Sequence, residues 1–179
     1  MASRLLRRCA AIGTSERSAL RPNLQTLRDP IHFVAFGFGA GLAPRAPGTA
    51  GSLVGLFAAW WLLALPLLWQ WMAVAAIVAI GIFVCGESAR RLKVHDAPGI
   101  VFDEIAGVLL TALALPERSV LWLALLFVFF RIFDIAKPWP IRDVDHRLGG
   151  GLGIMLDDLM AAVYAAACLT AIRVFLPTN

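Results

Sequence analysis

Polar side chains are almost absent from five stretches of the chain. They run from Gly48-Thr49-Ala50-Gly51-Ser52 to Leu65, from Leu67 to Gly86, from Ile100 to Leu115, from Val120 to Ala136 and from Ile154 to Leu176. Each approaches the roughly 20 apolar residues that a helix needs to cross a bilayer. Pro66 breaks the first run from the second, so these two read as a tight helical hairpin with a short first member. Pro116-Glu117-Arg118-Ser119 is a short turn between the third and fourth. Two polar connections, Glu87–Gly99 and Lys137–Gly153, complete the pattern. It predicts an all-α polytopic membrane bundle of five transmembrane helices, or four if the first hairpin does not cross.

Ahead of the runs, Asp29–Pro47 mixes Phe33, Phe36 and Phe38 with glycines and prolines. It is too broken to span and reads as a short helix or re-entrant piece at the interface. Residues 1–28 are Arg-rich without sustained periodicity. They are expected to form a disordered cytoplasmic tail, or else a basic segment drawn to anionic lipid, leaving 29–179 as the membrane domain.

Composition agrees. The chain has 179 residues, 60% of them hydrophobic, and a mean hydropathy of +0.78. Soluble domains are roughly 45–50% apolar, so a soluble fold is excluded. Cys9, Cys85 and Cys168 are scattered, without ligand spacing. Cys85 and Cys168 read as small packing residues, and no disulfide is expected. No nucleic-acid partner is expected, and oligomeric state is open.

The distribution of charge says more than its sum. If the N-terminus is cytoplasmic, Arg4, Arg7, Arg8, Arg17, Arg21, Arg28, Arg45, Arg90, Arg91, Lys93, Lys137, Arg142 and Arg147 all fall on that side, with Arg118 and Arg173 near the other. Basic residues gather on the cytoplasmic side of membrane proteins.

That topology brings the polar residues together. Asp103 and Glu104 lie at the cytoplasmic start of the third run, Asp134 and Lys137 at the cytoplasmic end of the fourth. Asp157 and Asp158 open the fifth, and Gly48, Thr49 and Ser52 open the first. A carboxylate near lipid costs a few kcal/mol on insertion scales, which makes it a functional-site hypothesis. Arg131, Asp134 and Lys137, at i, i+3 and i+6, share a helix face. Each adjacent acid pair is splayed by about 100°, so only one of the two can point straight at a metal. Five acids in one place repel each other unless a cation sits among them, and all-oxygen ligands suit Mg²⁺ or Mn²⁺. Helix N-termini, the Gly48–Ser52 and Gly149–Gly153 backbones, and Arg131, Lys137 and Arg142 would welcome a phosphate beside it.

Taken singly, each group has a plainer reading. Asp134 with Arg131 or Lys137 can be an intrahelical pair, and Asp157 a helix-dipole residue. Asp143 and Asp145 fit a solvated turn, and His32 and His95 ordinary interface histidines.

At these residues the sequence resembles the phosphatidylglycerophosphatase A family. The matching pieces are Gly37–Pro44 with Pro47–Ser52, His95-Asp96 leading into Ile100–Glu104, and Phe130–Arg142 with Gly150–Asp158 behind it. The resemblance runs from about Ile31 to the end. It implies a Mg²⁺-dependent phosphatase of the bacterial inner membrane. Such an enzyme hydrolyses phosphatidylglycerophosphate to phosphatidylglycerol on the cytoplasmic face. In that picture Asp103, Glu104, Asp157 and Asp158 surround the metal. Asp134 is a ligand or general base, catalytic together with Glu104, Asp158 and Lys137; Lys137, Arg131 and Arg142 contact the phosphate, and Gly48, Thr49 and Ser52 help hold substrate. A transporter or a lipid-binding protein without chemistry would carry buried acids too; the former needs acids in both leaflets, and none match these in the outer half.

Overall fold

A computed structural model describes residues 24–94, 97–139, 141 and 149–175. Among them every regular element is helical. Residues 1–23, most of the expected tail, lie outside the described residues, as do His95, Asp96, Arg142, Asp143, Asp145 and Arg147.

The described chain opens with a 3₁₀ turn, Thr26–Arg28, and a short helix, α1 (Pro30–Ala35). Asp29 caps α1 by accepting from the Ile31 N–H at 2.9 Å. A 3₁₀ segment, Gly37–Leu42, then turns the chain through positive φ at Gly37, Phe38 and Gly39. The broken backbone expected from the glycines is found here.

Helix α2 (Pro47–Leu62) starts with proline in its first turn, as the fixed φ of proline favours. Helix α3 (Leu67–Leu92) follows Pro66. It overruns the expected boundary at Gly86 and absorbs the first part of the polar connection. The reason is electrostatic. Glu87 accepts from Arg90 and Arg91 at 2.7 Å each, at i+3 and i+4, so this turn is held by its own side chains. Arg91 also reaches back to Asp29 and ties α1 to α3.

Asp29 gives a small pH signature. The Ile31 N–H, and then Arg91, hold its carboxyl below the ordinary range. A depressed folded-state pKa contributes stability above the ordinary value, and that contribution is lost as pH falls through the folded one. Thermal unfolding between about pH 5 and pH 3 should therefore show an acid limb that Asp29→Asn partly flattens.

Helix α4 (Phe102–Ala112) has 11 residues, 8 of them buried. At 1.5 Å per residue it is about 16 Å long, short of the roughly 30 Å hydrocarbon core. The third apolar run, expected to cross as a helix, therefore forms a half-length element inside the bundle. It packs against α2, α3 and the two helices that follow, α5 (Val120–Ala136) and α6 (Gly150–Phe175). Thr111 is buried within α4, and its hydroxyl donates to the Gly107 carbonyl at 2.9 Å.

Helix α5 has the bounds expected from the sequence. Ser119 caps it, accepting from Trp122 N–H, and the chain leaves at Lys137 in a left-handed conformation before Pro138. Helix α6 begins at Gly150, four residues before the apolar run. The early glycines let it lie against α3: a Cβ on Gly151 would sit 1.8 Å from the Ile82 carbonyl oxygen. Tertiary contact here overrides glycine's poor helix propensity.

Successive helices α2 to α6 alternate in direction. The starts of α2, α4 and α6 meet the end of α5 at one end of the bundle. At the other end, Arg118 lies over the Trp60 ring, 4.3 Å from its centroid. Among the described residues two helices, α3 and α6, are long and apolar enough to cross a membrane. Outer faces carry exposed Phe57, Trp61, Trp69, Trp71, Phe83, Leu121 and Val163. An apolar surface of this extent is a liability in water and suits lipid.

Candidate active site

The site forms where four helix ends converge on a cleft of about 290 Å³. Helix α4 brings Asp103 and Glu104 in its first turn, α5 brings Arg131 and Asp134 in its last turns, and α6 brings Asp157 and Asp158 two turns in. Lys137 enters from the α5 C-cap, while Pro47 and Gly48 close the side formed by α2. All five acids expected at one depth share this cleft.

The cations divide the acids. Arg131 bridges Asp134 within α5, and Lys137 crosses to Asp157 of α6. The plainer reading of Asp134 is thus met in part: it does have an intrahelical partner. Lys137 departs from expectation. Its left-handed backbone (φ 39°) turns it off the Arg131–Asp134 helix face and toward α6.

Asp103, Glu104 and Asp158 remain. Among the described residues no lysine or arginine bridges any of them. One carboxylate oxygen from each lies within 4.8 Å of the other two. Asp158 is 4% exposed, and its Oδ2 and the Oε2 of Glu104 are buried without a hydrogen-bond partner among the described residues. A buried carboxylate oxygen without a partner is strongly disfavoured; Asp103, beside them, accepts from the Glu104 N–H at 3.1 Å. Oxygen-only donors at this separation are the set a hard divalent ion uses. The adjacent pair on α6 divides: Asp158 lies with Asp103 and Glu104, and Asp157 pairs with Lys137.

The expected phosphate contacts fare differently. Gly48 lines the cleft, but Thr49 and Ser52 do not. Ser52 is fully buried, with its hydroxyl donating to the Gly48 carbonyl at 2.9 Å. Gly151 packs on α3 instead of offering a loop of free N–H groups. Arg142 lies outside the described residues. Ala97, Pro98 and Ile100 form an unforeseen part of the cleft wall, hinted at only by their closeness to Asp103 in the chain. His32, read as an interface histidine, is buried away from this lining, with Nδ1 2.8 Å from Ser88 Oγ.

An apolar bundle of helices with a polyacidic, cation-seeking cleft at one end defines a class of protein whose chemistry sits at the edge of its apolar surface. Sequence comparison narrows the class: the model of the family described as Phosphatidylglycerophosphatase A matches residues 33–173, and the chain belongs to that family. It is 43% identical over 145 residues to the phosphatidylglycerophosphatase A of Escherichia coli K12, covering 80% of this chain and 83% of that protein. To the phosphatidylglycerophosphatase A of Haemophilus influenzae it is 42% identical over 149 residues, covering 83% and 91%. A putative phosphatidylinositol-3-phosphatase of Bacteroides thetaiotaomicron is 36% identical over 149 residues, covering 78% and 91%. No solved structure matches the chain significantly.

Proposed function

We propose that the protein hydrolyses the terminal phosphate of phosphatidylglycerophosphate, giving phosphatidylglycerol and phosphate, with a divalent cation, Mg²⁺, in its cleft. The observation that carries this reading is the remainder left after charge pairing. Among the described residues two of the five acids have cationic partners, and the three for which none is seen are the three that cluster.

Asp103, Glu104 and Asp158 hold the ion. When bound, it supplies Lewis-acid polarisation of a phosphoryl oxygen. Asp134 lines the same cleft and is held in place by Arg131, so it takes the proton of the attacking water as the ester P–O bond breaks. The leaving alkoxide regains a proton from solvent. Lys137, a third exposed at its side chain, turns from Asp157 to meet the phosphate, joined by Arg131 and by Arg142. The lipid stays in the bilayer while its headgroup enters.

The chain would traverse the membrane five times, the third pass being completed after α4 ends by residues 113–116, among which Leu115 is buried. Irregular backbone is tolerated at membrane depth where protein surrounds it. Residues 29–179 would form the phosphatase unit behind a basic tail, with the cleft on the cytoplasmic face of a bacterial inner membrane. A reporter fused within residues 137–153 should score as cytoplasmic; a periplasmic score would overturn this orientation.

The direct test is phosphate release by the detergent-purified protein. Release from phosphatidylglycerophosphate is expected with Mg²⁺, is lost in EDTA and returns with Mg²⁺ or Mn²⁺. Phosphatidylinositol 3-phosphate should be the poorer substrate, since the higher identities are to the phosphatidylglycerophosphatases. No release under any divalent metal would reject the reading.

A further inference from the structure

The first turn of α2 has a role that neither substrate contact nor metal ligation describes. Glu104 lies directly against the bare Cα of Gly48. A Cβ built there would fall 2.3 Å from Glu104 Oε1 and 3.3 Å from both Glu104 Cδ and Arg131 Nη1. One turn on, the Ser52 hydroxyl donates to the Gly48 carbonyl at 2.9 Å and lies 3.5 Å from Arg131 Nη1. Ser52 is fully buried, so this hydroxyl has no route to a headgroup in the cleft. The same guanidinium continues to Asp134.

We infer that Gly48 and Ser52 are positioning residues: together they form a seat on α2 that holds the Glu104 carboxylate toward Asp103 and Asp158 and holds Arg131 on Asp134. Glycine suits position 48 because a side chain there takes the volume held by the Glu104 carboxylate and would push it from its place beside Asp103 and Asp158. Serine at 52 supplies a hydroxyl that both fixes the Gly48 carbonyl and faces Arg131. Alanine would leave that guanidinium with one fewer partner and more freedom. The metal-seeking oxygens are thus pre-assembled by a helix that contributes no ligand. Such preorganisation raises affinity because less ordering is left to binding.

This inference rests on the proposed metal-holding role of Glu104, and its test separates the two. Full-length wild type, Gly48→Ala, Glu104→Asp, Gly48→Ala/Glu104→Asp and Ser52→Ala are purified in detergent. Mn²⁺ binding is followed by electron paramagnetic resonance alongside phosphate release. Shortening the acid by one methylene vacates the space a Cβ at 48 would need. Gly48→Ala should weaken Mn²⁺ binding at least about tenfold, and the double variant should bind more tightly than Gly48→Ala alone. A glycine needed only for helix packing would show no such rescue, and that outcome overturns the inference. Ser52→Ala should lower kcat by about tenfold with KM for the lipid within about twofold. A rise in KM with kcat unchanged would make Ser52 a substrate contact and overturn its part. Should Gly48→Ala fail to fold, the double variant and Ser52→Ala still decide: a double variant that also fails to fold counts against the seat. Wild type that binds no Mn²⁺ would remove the metal reading and this inference together; normal wild-type binding with unresponsive variants removes only the inference.

Discussion

Asp158→Asn should lower phosphate release by about a thousandfold or more while leaving the metal-free protein as stable as wild type, or more stable. Losing one of three groups that hold the ion costs several kcal/mol of transition-state stabilisation, and each 1.36 kcal/mol is tenfold in rate. The opposite sign for stability follows from the charges. Asp103, Glu104 and Asp158 crowd within 4.8 Å without a cationic partner among the described residues. In the absence of an ion they repel one another and pay for burial. Asparagine keeps the shape and removes one charge from the crowd. Activity assays with thermal unfolding in EDTA read both signs at once. In Mg²⁺ the order should reverse, since bound ion stabilises wild type by mass action and the variant loses that gain. If Asp158→Asn retains wild-type turnover, the trio is not the metal site; if it unfolds in EDTA well below wild type, the carboxylate is structural.

Gly151→Val should abolish accumulation of folded protein. A Cβ at this position meets the Ile82 carbonyl oxygen at 1.8 Å and the Gly86 nitrogen at 2.8 Å. Both are backbone atoms in the middle of α3 and cannot rotate away. Helices α3 and α6 would have to separate, and α6 carries Asp157 and Asp158. Overpacking alone costs about 1–3 kcal/mol, and here more because backbone must move. Total stability is on the order of 5–15 kcal/mol. Membrane-fraction yield and a size-exclusion profile are sufficient readouts. A monodisperse, active Gly151→Val protein would show that the α3–α6 contact is looser than drawn. Gly150→Ala is a graded control: its Cβ would meet nothing within 4 Å, but its φ of 76° is strained for alanine, so a milder loss is expected.

Several of these features were readable from sequence because the relevant signals are local. Val120–Ala136 matched its helix residue for residue since Ser119 can cap it and Pro138 must end it. The convergence of Asp103, Glu104, Asp134, Asp157 and Asp158 was also legible. Alternating helices connected by short turns leave few ways to place acids at run ends other than at one end of the bundle. What escaped depends on contacts between distant segments. Nothing in Glu87–Leu92 taken as a polar stretch shows that Glu87 will be gripped by two arginines, one of them already tied to Asp29. Gly150–Gly153 reads as a flexible loop until α3 is laid against it. The length of α4 is hidden because apolarity continues to Leu115 while the helix stops at Ala112. The partners of the cations were likewise hidden: helical spacing puts Lys137 beside Asp134, and a single left-handed residue sends it to Asp157. Of Gly48, Thr49 and Ser52, only Gly48 lines the cleft; the buried Ser52 hydroxyl is taken up by the Gly48 carbonyl, a contact within the helix that the sequence pattern does not reveal.

The central claim is that three side chains from α4 and α6 share one divalent ion. Anomalous diffraction from crystals of the wild-type protein soaked in Mn²⁺ addresses it without reference to turnover. The account predicts one strong peak ligated by Asp103, Glu104 and Asp158, with Asp157 still turned to Lys137. Mn²⁺ bound elsewhere, with those three carboxylates bare or turned to separate surroundings, would contradict it.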